Sequence, residues 1–316
     1  MDLITLFGNL LLFLALMIPG YIMAKTKVIG ETAQAVFGSV LMYIAMPFLV
    51  FQKLLETDLR SLDWTAVAIA TILPLLLGLL LLGIAALIFP NRNTPAKAIM
   101  SRFCSFLHNC GFWGLPLAAA LFPDKPEVTL YVSFVNIINT LLLLTVGVYV
   151  LSGDARSIRI RGILTSPAII ALVVGSIFSL SGVSTRFPQI IDYAARLANL
   201  AAPLSMLSLG IESAKLSFRE LFSAPDLYRV SAIKLFLSPL LIMGTLLLLR
   251  GCGLPISVEL LDSLFLSTAV SCAASAPAMA AKYDLDAKHA AILTIGTTLL
   301  CVITMPLLYG CLKLFY

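Results

Sequence analysis

The sequence predicts an all-α membrane protein of ten transmembrane helices, arranged as two inverted five-helix repeats with helices 4 and 9 broken. Three observations predict it. Of 316 residues, 60% are hydrophobic and only 12% charged, about half the charged share of a soluble domain. Ten apolar stretches each approach the roughly 20 residues that a membrane crossing needs. Two of them are interrupted by glycine, proline and small polar residues at matching places in the two halves of the chain.

The stretches run near 4–23, 33–52, 65–89, 97–122, 128–151, 163–182, 189–213, 229–249, 259–282 and 288–313. The first opens on MDLITLFG, with an acidic residue and no basic segment, so it reads as a retained span rather than a cleaved signal. The fourth contains the break, SRFCSFLHNCGFWGLPLAAALF from Ser101 to Phe122, with His108, Asn109, Cys110, Gly111, Gly114 and Pro116 in close succession. A backbone interrupted at that depth is tolerated only where protein or an aqueous cavity shelters it. Glycine permits close approach, and Pro116 cannot extend the helix before it but can begin the next. In the fifth span Asn136 and Asn139 lie one turn apart, as do Thr294 and Thr297 in the tenth. Both pairs read as polar contacts between helices, with a cavity lining as the alternative. The seventh carries Arg196 near Asn199 and Pro203. The eighth carries Lys234, close enough to one end for its stem to reach water. The ninth repeats the interruption from Ser263 to Tyr283, where Ser271 and Ser275 lead into Pro277 and Ala278.

The halves correspond in order. Ala45-Met46-Pro47 matches Ala202-Pro203, Leu73-Pro74 matches Ser238-Pro239, Pro116-Leu117-Ala118-Ala119 matches Pro277-Ala278-Met279-Ala280, and Asn139-Thr140 matches Thr297-Thr298, all at offsets of about 156 to 165 residues. Five spans is an odd number, so the second repeat enters from the opposite face. One set of alternate loops holds thirteen basic residues, Lys25, Lys27, Arg92, Lys97, Arg102, Arg156, Arg159, Arg161, Lys215, Arg219, Arg229, Lys282 and Lys288. The other holds six, which places the first set in the cytoplasm and both termini outside.

Inverted repeats put the starts of the two second half-helices at the midplane from opposite sides. With each proline near the first helical position, the N–H groups that follow Pro116 and Pro277 are expected there, each end carrying roughly half a positive charge. Such ends favour a carboxylate or another anion, and paired interrupted helices point to a transporter binding site. Asn109, Ser271 and Ser275 are candidate hydrogen-bonding groups, His108 a proton carrier or a neutral histidine satisfied by a carbonyl, and Arg196 an anion attractor or an outward-reaching cation. No carboxylate lies beside either proline, which argues against a carboxylate-based cation site. The six cysteines form no CxxC pair and read as free thiols, with no clustered metal ligands. The net charge of +5 is spread over loops with no basic run toward nucleic acid. HExxH, GxSxG, Walker and GxGxxG motifs are all absent, and no enzyme or cofactor is expected.

The segment Asn109-Cys110-Gly111-Phe112-Trp113-Gly114-Leu115-Pro116-Leu117 resembles the Asn–Gly–Gly–Leu/Ile–Pro segment of the auxin efflux carrier family. That family includes plant PIN proteins and bacterial permeases for malate or malonate. Further matches are Ala202 to Gly210, Ser166-Pro167-Ala168-Ile169-Ile170 and Ala281-Lys282-Tyr283-Asp284. The resemblance implies a fold related to bile-acid sodium symporters. Residues 1–60 and 153–214 (helices 1–2 and 6–7) would form a dimerising scaffold, and residues 61–152 and 215–316 (helices 3–5 and 8–10) a mobile transport unit. The broken helices 4 and 9 would cross at the two prolines, and substrate would sit at that crossover and be exposed alternately by an elevator movement. By position, Asn109, Cys110, Gly111, Gly114, Pro116, Leu117, Ser271, Ser275, Pro277 and Ala278 become the substrate-binding residues. This chain departs from the pattern in having no asparagine at the second break, and only a short loop, Ser152 to Gly162, between helices 5 and 6.

The expected function is secondary transport of small organic anions, carboxylates or auxin-like aromatic weak acids, across the cell membrane by a homodimer. Na⁺ or H⁺ coupling is needed only for import against the membrane potential. The alternative is a membrane sensor that binds a lipid or small ligand on the same fold without moving it.

Overall fold

The computed structural model describes residues 3–30, 32–60, 62–90, 94–158, 161–162 and 165–313; Arg92 and Arg159 of the loop-charge set lie outside them. It is helical throughout. Among the described residues, seven helices are long and apolar enough to cross a membrane: α1 (Phe7–Lys25), α2 (Ala33–Glu56), α3 (Trp64–Ile88), α6 (Pro126–Ser152), α8 (Gln189–Ser213), α9 (Pro225–Gly251) and α12 (Ala287–Leu312). Between them lie shorter helices. These are α4 (Pro95–Phe106), α5 (Cys110–Leu121), α7 (Pro167–Leu180), α10 (Val258–Thr268) and α11 (Ala276–Lys282). The fourth expected stretch is thus α4 and α5 separated by Leu107–Asn109, and the ninth is α10 and α11 separated by 269–275.

Local chemistry sets the helix starts. Asp63 accepts from the N–H groups of Thr65 and Ala66, Ser166 from Ile169, Ser257 from Leu260 and Asp286 from His289. Each satisfies a donor that has no partner within the helix. Proline removes an N–H and crowds the carbonyl four residues back, and three prolines are met by a widened turn just before them. Leu41–Ala45 precedes Pro47, Cys110–Gly114 precedes Pro116 and Ala232–Leu237 precedes Pro239.

Large apolar side chains such as Leu80, Leu87, Ile177, Leu248, Ile303 and Leu307 are exposed on the outer surface, as a bilayer-facing surface requires. Inside, α1 packs along α8 and α2 along α7, while α3, α4 and α6 pack with one another and α9 and α11 pack against α10 and α12 respectively. The α1–α8 contact is backbone on backbone. A Cβ on Gly20 would lie 2.3 Å from the Leu207 carbonyl oxygen, so only glycine allows that approach.

In the short helix Phe218–Phe222 before α9, the Lys288 ammonium and the Ser217 hydroxyl and N–H hold Glu220 down at about 2. The Glu220–Lys288 pair measures 2.6 Å. Its stabilisation is present above the ordinary carboxylate range and fades as pH falls toward 2. Glu220→Gln is therefore expected to melt slightly below wild type at pH 7 and to converge with it near pH 2. Thermal unfolding at the two pH values checks this.

Candidate functional site

The two interruptions meet. Leu107–Asn109 and 271–273 run antiparallel as a single extended bridge centred on His108 and Cys272. The Asn109 N–H donates to the Ser271 carbonyl at 2.9 Å, and the Ala273 N–H donates to the Leu107 carbonyl at 3.2 Å. Each broken helix thereby satisfies backbone groups freed by the other, the condition for irregular backbone at membrane depth.

Polar side chains complete the arrangement. Asn139 of α6 grips His108 from both sides, its Oδ1 accepting from the His108 N–H at 2.9 Å and its Nδ2 donating to the His108 carbonyl at 2.7 Å. Thr297 of α12 accepts from the Cys272 N–H at 3.1 Å. Asn109 Nδ2 donates to Ser271 Oγ at 3.2 Å, and the His108 ring Nε2 hydrogen-bonds Ser238 Oγ of α9 at 2.8 Å. Of the two sequence readings of His108, the satisfied histidine has a partner, and it is a serine hydroxyl rather than a carbonyl.

One expectation is corrected. Pro116 does not sit near the start of its half-helix. Helix α5 begins at Cys110, with the wide turn Cys110–Gly114 before Pro116. Its first hydrogen bonds are donated by Trp113 and Gly114 to the Asn109 carbonyl. The donors left outside the helical ladder are therefore the N–H groups of Cys110, Gly111 and Phe112, not those that follow Pro116. Pro277 does lie in the first turn of α11, after Ser275.

Two cavities flank the crossing. One of about 390 Å³ is lined by His108, Asn109, Gly111, Asn136, Asn139 and Ser275, with Met42, Tyr43, Phe112, Thr165 and Ser166 among its other walls. The second, about 940 Å³, shares Met42, Tyr43, Phe112, Ala274 and Ser275 and adds Pro277, Ala278, Gln34, Glu212, Lys215 and Lys288. At its mouth Lys215 donates to Gln34 at 2.7 Å. Among the described residues, the smaller cavity has amide, hydroxyl and imidazole groups set among apolar walls and no charged residue in its lining. It suits a small polar ligand held by neutral donors and a helix start.

Of the expected site residues, His108, Asn109, Gly111, Ser275, Pro277 and Ala278 line these cavities. Cys110, Gly114, Pro116, Leu117 and Ser271 are buried behind them and shape the crossing. Arg196 is exposed near the end of the Gln189–Ala198 segment and lines neither cavity. The Asn pair of α6 does both things considered for it, since Asn139 binds the break and both asparagines line the smaller cavity. Lys234 is the residue that the sequence misplaced. Its side chain is 0% exposed, so it does not reach water. The one available signal was its position four residues before Ser238, the partner of His108.

Residues 5–309 match the family described as "Membrane transport protein". The chain is 28% identical over 299 residues to an "Uncharacterized transporter" of Methanothermobacter thermautotrophicus, covering 93% of this chain and 94% of that one. It is 25% identical over 324 residues to a Rhizobium meliloti protein named as a malonate transporter, covering 96% and 94%. The chain therefore belongs to the membrane transport protein family, the auxin efflux carriers that its Asn109-to-Leu117 segment resembles, and is a multi-pass membrane transporter rather than an enzyme.

Proposed function

We propose that this transporter carries small organic anions, dicarboxylates such as malonate foremost, with the carboxylate held at the crossing of the two breaks. The observation that carries the reading is the start of α5. The N–H groups of Gly111 and Phe112, which have no helical partner, lie beside Asn109 in the wall of a cavity whose other polar groups, among the described residues, are neutral. Oriented donors at a helix start favour negative charge without a permanent cation. The name of the Rhizobium meliloti relative supports malonate as the first candidate.

The finer architecture belongs to the same proposal. The broken α4–α5 and α10–α11 each count as one span, giving ten in two inverted sets of five. The scaffold consists of residues 1–60 and 153–214, and the transport unit of 61–152 and 215–316, moving past it as an elevator. The close α1–α8 and α2–α7 pairs and the mutual packing of the remaining helices support that division. With both termini outside, the larger cavity opens by Lys215 and Lys288 toward the cytoplasm, so this conformation faces inward. The protein acts as a homodimer in the cell membrane through its scaffold.

Proteoliposomes on a solid-supported membrane test the reading. Malonate, malate, succinate and indole-3-acetate are applied with and without Na⁺ and pH gradients. A substrate-dependent current is expected for wild type, reduced about tenfold in Asn109→Ala, the equivalent of about 1.4 kcal/mol and one lost hydrogen bond. Silence across the panel from protein that still shows a ligand-dependent thermal shift would favour a sensor on the same fold.

A further inference from the structure

Lys234 is a buried ionisable group that the crossing does not use. It lies in the wide turn Ala232–Leu237 of α9. It is fully buried, and its Nζ has no hydrogen-bond partner among the described residues. The groups close enough to feel its charge are thiols, Cys104 of α4 with Cys110 and Cys272 of the two breaks, and the imidazole of His108.

Other titratable groups on the elements packed against this turn are engaged elsewhere or lie toward helix ends. On α4, Arg102 donates to the Phe89 carbonyl at 2.8 Å, and Lys97 stands in the first turn. On α12, Lys288 is paired with Glu220, His289 hydrogen-bonds Ser101 at 3.0 Å, and Cys301 donates to the Thr298 carbonyl at 3.2 Å. Tyr309 of α12 donates to Asp262, and Cys311 is exposed. On α9 itself, Asp226 lies 3.6 Å from both Arg229 and His289, Tyr228 donates to the Phe222 carbonyl, and Arg250 stands in the last turn. Among the described residues, no carboxylate hydrogen-bonds the Lys234 Nζ.

An ammonium in hydrocarbon surroundings needs a counter-charge, and an amine that lacks one gives up its proton. The route from Lys234 to the smaller cavity is short. Ser238 stands about one turn further along α9, its hydroxyl is bonded to His108, and His108 lines that cavity. Cys110 opens the very half-helix whose N–H groups face the cavity.

We propose that Lys234 is the proton carrier of this transporter. In the empty protein its side chain is the uncharged amine. When a carboxylate occupies the cavity at His108 and Asn109, Lys234 takes one proton from the same aqueous side, –NH₂ + H⁺ → –NH₃⁺, and it returns that proton when the anion leaves. The carboxylate supplies the counter-charge that the protein lacks. One proton then accompanies each anion, no sodium ion is required, and a monocarboxylate crosses without net charge. This inference rests on the anion reading of the crossing.

The full-length protein in detergent, weakly buffered at pH 7.5 with a pH-indicator dye, receives malonate while binding is followed by thermal shift. Wild type is expected to take up about one proton per bound malonate, Lys234→Met to bind with none, and His289→Gln, a buried histidine bonded to Ser101 and outside both cavities, to retain the uptake. Binding without uptake in wild type overturns the proposal, as does uptake that survives in a Lys234→Met protein that still binds malonate. Lys234→Gln replaces the methionine variant if that one does not fold. NMR of ¹³C,¹⁵N-lysine-labelled protein without ligand reads the resting state of the side chain directly. An amine signal absent from the variant supports the proposal, and an ammonium at Lys234 overturns it. If malonate fails to bind wild type, malonate recognition at the crossing fails, and the spectrum still decides the state of Lys234.

Discussion

Asn139→Leu is expected to abolish substrate-dependent current and to lower thermal stability by more than any other single polar change at the crossing. The side chain donates to one backbone group of His108 and accepts from the other, at 2.7 and 2.9 Å. Leucine has the same branched skeleton and neither function, so an N–H and a carbonyl are left without partners where water is scarce. Each such group costs about 1–3 kcal/mol, hence about 2–6 kcal/mol together. His108 is the centre of the bridge to Cys272, so relaxation of its backbone disturbs both interrupted helices. Asn139→Asp keeps an acceptor for the N–H but sets oxygen against the His108 carbonyl, and should fall between wild type and leucine. Thr297→Val removes one acceptor, that of the Cys272 N–H, and is expected to cost about 1–3 kcal/mol. The measurements are melting temperature in detergent and current in proteoliposomes. A leucine variant as stable and active as wild type would show that the bridge, not Asn139, sets the geometry of the break.

Gly210→Val is expected to prevent stable folding. A Cβ at Gly210 would stand 2.0 Å from the Met17 carbonyl oxygen and 2.9 Å from the Tyr21 nitrogen, both backbone atoms of α1. No rotamer change relieves a clash with backbone, so α1 and α8 must separate. Their separation also opens the reciprocal contact at Gly20. Overpacking of a fixed core costs about 1–3 kcal/mol and occasionally more, and here a whole helix pair has to move, so about 3 kcal/mol or more is expected. Gly210→Ala carries the same Cβ clash in milder form. Gly244→Ala is the control, because nothing lies within 4 Å of its added Cβ and alanine improves helix propensity by up to about 1 kcal/mol. Monodisperse yield and thermal unfolding after detergent extraction separate the three. A Gly210→Val protein with wild-type stability would mean that the α1–α8 approach is not required.

Much of this protein was decided by local chemistry that the chain states openly. A long apolar stretch with few charges has one stable form in lipid, a helix, so the helical class and the approximate bounds of the helices followed from composition and spacing. The interruptions were equally local. Glycine, proline and small polar residues at 108–116 and 270–277 cannot continue an apolar helix undisturbed, and the structure breaks the chain at Leu107–Asn109 and 269–275. Membership in the transporter family was readable for the same reason, since its motif is a run of consecutive residues, Asn109 to Leu117.

What the tertiary structure alone decided is which groups face each other across long separations. That Asn139 would grip His108, thirty-one residues away, and that Ser271 would accept from Asn109 across 162 residues depends on how helices are rotated and stacked, which no local pattern encodes. The starting point of α5 moved from Pro116 to Cys110 because the chain could relieve the proline through a wide turn rather than by ending the helix. Lys234 shows the same limit most clearly. Its distance from a span end suited a stem reaching water, but the rotation of α9 turned it inward, where it is fully buried. Sequence spacing sets how far a side chain lies along a helix. The direction in which it points is set by the packing of every other helix around it.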